Sequence, residues 1–381
     1  MKTLFFFSDP KRDIHLGKKD LERPFLLAPF TPHPFLSLSD YFTAIEQFIV
    51  HNRASVESIL RDTVSKTLQS NHIQKIIIRS QKHGAFYHLA RIDIFVENTV
   101  AKFALCTALS HRGKSTLDRE FQTLRYLGDH FQIQCLPKTY LKGEEEIISH
   151  GKKEQFTFVL SQWLDGYNEW HLSGGSEIET QRICIWDEQA GKRYASQHVA
   201  ESIFQSMGKI LTLFYDTKRY FEIYPWHQAA GDFVVKDSSK TPKVKLTTAR
   251  SYRPLPIFKG RPAPNPSVAL FYFFLNLGIR LRLDRAEGVG KLVWANKELL
   301  RGGIQGFVDA LKLRHIEGRY ELGNPEEFIC TIKRFSPQEL TKASLPLLEM
   351  YETENPDEFQ VIKSKLKEHT KELYHIIQNI R

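Results

Sequence analysis

The apolar pattern changes period once along this chain, near Gly166, and that change constrains the fold more than any single motif. Between residues 73 and 165 the apolar residues fall in short alternating or continuous blocks. These are Ile76 to Ile78; Leu89, Ile92, Ile94 and Val96; Val100 to Cys106; Leu136 to Leu141; and Phe156 to Gln162. Blocks of that length, bounded by turn residues such as Gly84 and Glu97-Asn98, read as strands. One helix interrupts them, with Ser115 or Thr116 as its cap and Gly128 as its stop. The turn-rich stretch Gly143 to Lys153 joins the last two strands. Beyond Gly166 the spacing is helical: Val199, Ile203, Met207, Ile210, Leu211 and Phe214, then Val268 to Ile279. A final helix repeats Phe359, Ile362, Leu366, Leu373, Ile376 and Ile380, with His369 in its seam. Two short strands, Phe233 to Lys236 and Val244 to Thr247, lie inside this block. The expected fold class is α+β: a small antiparallel-sheet lobe over 73–165 and a mainly helical large lobe over 166–381.

Residues 1–72 read as an N-terminal extension with helices. Pro-Phe recurs at Pro24-Phe25, Pro29-Phe30 and Pro34-Phe35, which keeps the segment extended and offers aromatics to a groove. Helices follow from Ser37 or Ser39 and over Val56 to Leu68. The four cysteines among 381 residues contain no CxxC pair, which excludes a disulfide scaffold or a zinc ribbon and points to a reducing compartment. The longest nearly apolar run, Val268 to Ile279, falls short of the roughly 20 residues that span a bilayer. The apolar stretch Leu4 to Phe7 is too short for a signal-peptide core. The expectation is a cytoplasmic protein without a membrane span.

The net charge of +9 suggests an anionic partner. The charge is concentrated: residues 236–262 hold eight Lys or Arg against the single acid Asp237. Such a patch suits a compact anion such as a nucleotide phosphate as well as it suits a nucleic acid. Nucleic acid is the less favoured partner, because no zinc finger, RNP-type stretch or helix-turn-helix signature accompanies the charge.

Two charged residues break the apolar pattern of the small lobe. Lys102 sits in Val100-Ala101-Lys102-Phe103-Ala104-Leu105 and shares a strand face with Val100, Ala104 and Cys106. Glu120 falls on the helical stripe of Leu117, Leu124 and Leu127. A carboxylate there loses hydration, and a nearby lysine would compensate it. The pair would be structural unless its surroundings give it more to do.

The order of elements gives the pair more to do. Strand, Gly84 turn, strand, strand with Lys102, helix with Glu120, two strands and a hinge resembles the small lobe of the protein-kinase-like superfamily. The aminoglycoside-phosphotransferase and choline-kinase branch is the most similar in element order. The resemblance implies ATP as cofactor, with Lys102 on the phosphates, Glu120 holding Lys102, and Gly84 in the loop over the nucleotide. It makes Phe158 to Gly166 the hinge, with Gln162 and Trp163 beside the adenine. In the large lobe, Tyr224-Pro225-Trp226-His227-Gln228-Ala229-Ala230-Gly231-Asp232-Phe233-Val234-Val235 occupies the place of the catalytic loop. His227 then takes the place of the base, and Asp232, five residues on, that of a Mg²⁺ ligand. A second register puts Asp232 at the catalytic place and Asp237 at the metal ligand. Two departures stand out. Thr248 occupies the place of the family's second metal-binding Asp, and the loop Ser80 to Phe86 has one glycine where the family has several. Asp237, Asp187 or Glu188 could replace the missing acid, or Lys245 and Arg250 could supply the charge instead of a metal.

The leading expectation is therefore an atypical kinase-like nucleotide-binding protein that transfers a phosphoryl, or else a nucleotidyl, group from ATP to a small-molecule, peptide or protein acceptor. Its alternative is a pseudokinase that keeps the fold as a binding or scaffold module and drops the chemistry.

Overall fold

A computed structural model describes residues 2–8, 13–28, 31–64, 73–84, 86–173, 181–187, 191–227, 231–236, 241–260, 262–286 and 290–380. Pro29, Phe30, Glu188, Asp237 and the expected helical residues 65–68 lie outside them. The chain divides into two units: Met1–Asp129, Pro137–Gly166 and Glu188–Gly191 in the first, and His130–Leu136, Tyr167–Asp187 and Lys192–Arg381 in the second. The architecture is α+β, with a largely antiparallel sheet in the first unit and a mainly helical second unit.

The first unit is built on strands β1 (Lys2–Phe7), β2 (Ile73–His83), β3 (His88–Val96) and β4 (Thr99–Ala108), with β5 (Thr139–Ser149) and β6 (Lys152–Gln162). They lie in the order β1-β2-β3-β4-β6-β5, and only the β1–β2 pair is parallel. The register aligns Ile77, Asp93 and Lys102 across one row and Arg79, Arg91 and Ala104 across the next but one. Alternation along β4 puts Ala101, Phe103 and Leu105 into the core and turns Lys102, Ala104 and Cys106 to the other face.

The described part of residues 1–72 packs into the first unit. β1 joins the sheet, and helices α1 (Leu38–His51) and α2 (Arg53–Val64) bring Tyr41, Phe42, Phe48 and Val56 into one core with Phe103, Phe156 and Phe158. The physical reason is that a sheet with an apolar face must bury it against another layer. The segment supplies that layer, and each buried aromatic contributes about 1.5–3 kcal/mol.

Two expected boundaries also move. Helix α3 runs His111–His130, starting before Ser115 and passing through Gly128. Ser110 Oγ accepts the Gly113 N–H at 3.0 Å, so the start is capped five residues earlier than expected. Strands β5 and β6 continue through the stretch read as turn-rich and reverse only at His150 and Gly151, both with positive φ. Cross-strand pairs such as Glu146–Lys153 and Glu144–Gln155 stabilise the added rungs.

The second unit holds β7 (Asn168–Leu172), β8 (Ile183–Asp187), β9 (Phe233–Lys236) and β10 (Lys243–Leu246), in the order β8-β7-β9-β10. Its helices include α4 (Gln197–Leu213), α5 (Pro266–Arg280), α6 (Lys297–Ile316) and α7 (Pro325–Lys333). Further on comes α8 (Pro356–Gln378), with His369 buried in its seam. Helices α4 and α6 cross at backbone contact. A Cβ added to Gly208 would lie 2.1 Å from the Gly303 carbonyl oxygen, which only glycine avoids. Among the described residues no helix is long and apolar enough to cross a membrane.

Candidate functional site

In the first unit the expected Lys102–Glu120 pair does not form. Lys102 Nζ instead contacts Asp165 Oδ1 at 2.8 Å, on a side chain 32% exposed against 64% for Asp165. Glu120 is 4% exposed, as its place on the apolar stripe requires, and accepts the Tyr87 hydroxyl at 3.0 Å. The alternation of β4 sets only the face on which Lys102 lies. It turns Lys102 to the face that also carries Cys106 and Ala108, on which Leu117 of α3 packs, so alternation does not keep it from Glu120; its amine is taken instead by the Asp165 carboxylate at the end of the stretch read as a hinge. The backbone of the stretch read as a hinge is also engaged. Gln162 N–H donates to the Lys138 carbonyl at 2.7 Å, and Trp163 N–H donates to the Lys102 carbonyl at 3.3 Å. Neither amide is left to read an adenine edge. Gly84 N–H closes a turn onto the Tyr87 carbonyl at 2.9 Å.

The same sheet face carries a charge lattice that the sequence did not announce. Asp93, 3% exposed, accepts Arg79 Nη1 at 2.6 Å and Arg91 Nε at 2.8 Å. Arg79 Nε also reaches Asp13 at 2.6 Å, and the Arg91 guanidinium lies 5.5 Å from the Trp163 ring centre. Alternation in β2 and β3 could have placed Arg79 and Arg91 on one face, but their common partner comes from the strand register.

In the second unit the loop before β9 and the end of β10 meet at Asp232. Gly231, with φ of 71°, turns the chain so that Asp232 enters the interior at 0% exposure. Each carboxylate oxygen then receives two donors. Oδ2 accepts the His227 N–H at 2.7 Å and Arg250 Nη1 at 2.5 Å. Oδ1 accepts Thr248 Oγ1 and Arg250 Nη2, both at 2.7 Å. A carboxylate offers about four lone-pair sites, and all four are filled here. Burial alone would raise the Asp232 pKa; the Arg250 charge and hydrogen bonds override it and hold the carboxyl below its usual range.

His227 is brought to Asp232 as expected, but through its backbone. Its ring Nδ1 lies 3.0 Å from Arg280 Nη2. Because guanidinium only donates, Nδ1 is the acceptor and the neutral ring carries its proton on Nε2. Burial, followed by the Arg280 charge, lowers the His227 pKa to about 3. The expected base is thus a poor proton acceptor with its free lone pair already used. Arg280 is 2% exposed; it also binds the Trp226 carbonyl and Glu358 of α8. The run Arg280, Arg282, Arg285 beside Asp284 hinted at ion pairing, but nothing in it named Glu358 as the partner.

The remaining site residues divide simply. Lys245 Nζ stands 5.7 Å from the Tyr167 ring centre, and Asp187 lies 3.9 Å from Arg193. The second register and one substitute acid rest on Asp237 and Glu188, which lie outside the described residues. A Mg²⁺ ion therefore does not fit at Asp232: its lone pairs are spent on Arg250, Thr248 and His227. Among the described residues no cluster of three His, Cys, Asp or Glu could hold a metal ion.

No protein-family model matches this chain, and no curated protein does. Among solved structures, the choline kinase of Cryptosporidium parvum Iowa II is similar over 85% of this chain and 99% of that one, with 9% identity and a TM-score of 0.34. A likeness this slight assigns neither a family nor an activity.

Proposed function

We propose that this chain is a kinase-like binding module that does not transfer phosphoryl groups. The order of β2, β3, β4, α3, β5 and β6, followed by a mainly helical unit, supports the kinase-like reading. The saturation of Asp232 by Arg250 carries the non-catalytic one. Arg250 puts a fixed guanidinium where a divalent cation would be needed, and guanidinium cannot coordinate a triphosphate together with its carboxylate in the way a metal ion does. The neutral, hydrogen-bonded His227 adds no base.

In the first unit Lys102 is a cation able to exchange its partner. It has one exposed carboxylate, Asp165, which a phosphate could displace at little cost. Nucleotide binding in this reading depends on Lys102 and not on Mg²⁺. The test is thermal unfolding with ATP, in Mg²⁺ and in EDTA, beside a turnover assay. A ligand that binds only the folded state raises the melting temperature. The expected result is an equal shift in both buffers, its loss in Lys102→Ala, and no turnover. Mg²⁺-dependent turnover that disappears in Asp232→Asn would overturn the proposal. No shift in either buffer would reassign the module to a protein ligand.

A further inference from the structure

The second unit exposes a row of aromatic rings that its fold leaves partly uncovered. Phe258 contacts Tyr272 edge-on at 5.8 Å, Tyr272 neighbours Phe271 at 6.3 Å, and Phe271 stacks on Phe335 at 4.8 Å. All four rings are half-buried. Val268, one turn earlier on the same face of α5, is 45% exposed. Three separate segments therefore contribute to one apolar strip: the loop before α5, α5 itself, and the residues after α7.

A cation neighbours each terminal ring along the chain. Lys259 follows Phe258 and Arg334 precedes Phe335; both are exposed, and neither forms an ion pair with a described acid. The nearest acid along the chain, Glu339, is engaged in capping Ser336, whose N–H and hydroxyl it accepts at 2.8 and 2.7 Å. Aromatic side chains supply contact area at low entropic cost, and unpaired cations at the rim select charge.

We propose that this strip docks an acidic amphipathic segment of a partner protein, its apolar face on the rings and its acids against Lys259 and Arg334. The partial burial of the rings favours a protein over a membrane. One aliphatic side chain stands out and the rings lie half-sunk, so little could enter a bilayer. This surface is independent of the nucleotide reading above.

The probes are fluorescein-labelled helical peptides of about 18 residues, or five turns. They share one Leu/Phe face and end in Asp/Glu, in Gln or in Lys/Arg. Binding to the full chain is read by anisotropy. At low salt the acid-ended peptide should bind at least about tenfold more tightly than the basic-ended one, and added NaCl should narrow the gap. The double variant Lys259→Glu/Arg334→Glu should invert the order, and Val268→Asp should weaken all three peptides. All three positions are exposed, so circular dichroism should show unchanged folds. Equal binding of the three peptides, or no response to the double variant, would overturn the proposal. So would binding to phosphatidylserine vesicles in place of peptide, or self-association that Val268→Asp abolishes.

Discussion

The two units use the same pair of charges in opposite ways. Lys102 and Asp165 meet at 2.8 Å on side chains that keep a third and nearly two thirds of their surface in water. Asp232 and Arg250 meet at 2.5 Å with the carboxylate fully enclosed. Water screens the first pair and lets it exchange partners; the second is locked, because breaking it strands a charge in a dry interior. A resemblance based on residue types treats both as site residues. Their burial separates a replaceable contact from a permanent one.

The sharpest way to break this contrast is Arg250→Ala. It leaves the Asp232 carboxylate buried with only Thr248 and the His227 amide as donors. Loss of a buried partner costs about 3–5 kcal/mol. Urea unfolding should show a fall of that order in the extrapolated stability. The double variant Asp232→Asn/Arg250→Met should recover a large part of it, since the stranded charge is then gone. A loss below about 1 kcal/mol in the single variant would mean that Asp232 is not sealed, and the case against metal binding would weaken with it.

This contrast also marks what was legible in the sequence. The α+β class and the change of architecture near Gly166 follow from apolar period, which depends on neighbours along the chain. The burial of Glu120 followed in the same way from its helical stripe. Partner choice did not follow. Asp165 is 63 residues from Lys102, and Glu358 is 78 residues from Arg280. Such pairings are set by strand register and helix packing, to which a local pattern is blind. In residues 1–72 the Pro-Phe dipeptides pointed to an extended segment whose aromatics dock on the main body, and Phe25 lies in the core. That β1 joins the sheet and α1 and α2 cover its face was not legible, because pairing and layering are set by distant residues.

A second prediction concerns acid. His369 is 1% exposed, and burial, followed by the nearby Arg282 charge, lowers its pKa to about 3. The unfolded chain takes up that proton near pH 6.5, whereas the folded chain resists until about 3. Stability is therefore fully present above pH 6.5 and falls as the pH drops toward 3, by about 1.4 kcal/mol per pH unit from His369 alone. His227 shifts the same way, but its side chain is 39% exposed, so solvent reduces its share. Urea midpoints from pH 7 to 5 should decline, and His369→Leu should flatten the decline more than His227→Asn does. An unchanged slope in His369→Leu would show that the histidine opens to water before it titrates.

The smallest effect is the most discriminating. Lys102→Ala removes one exposed ion pair and a side chain that leaves the buried face of β4 untouched. Its stability cost should be within about 0.5 kcal/mol, some tenfold below that of Arg250→Ala. The two variants thus predict opposite profiles: Lys102→Ala folds as before and loses the nucleotide-induced shift, whereas Arg250→Ala loses stability with or without nucleotide. If Lys102→Ala instead destabilised the chain by several kcal/mol, the Lys102–Asp165 contact would be a structural tie like Asp232–Arg250. The nucleotide reading would then lose the exchangeable contact on which it rests, while the Asp232 knot stood unchanged.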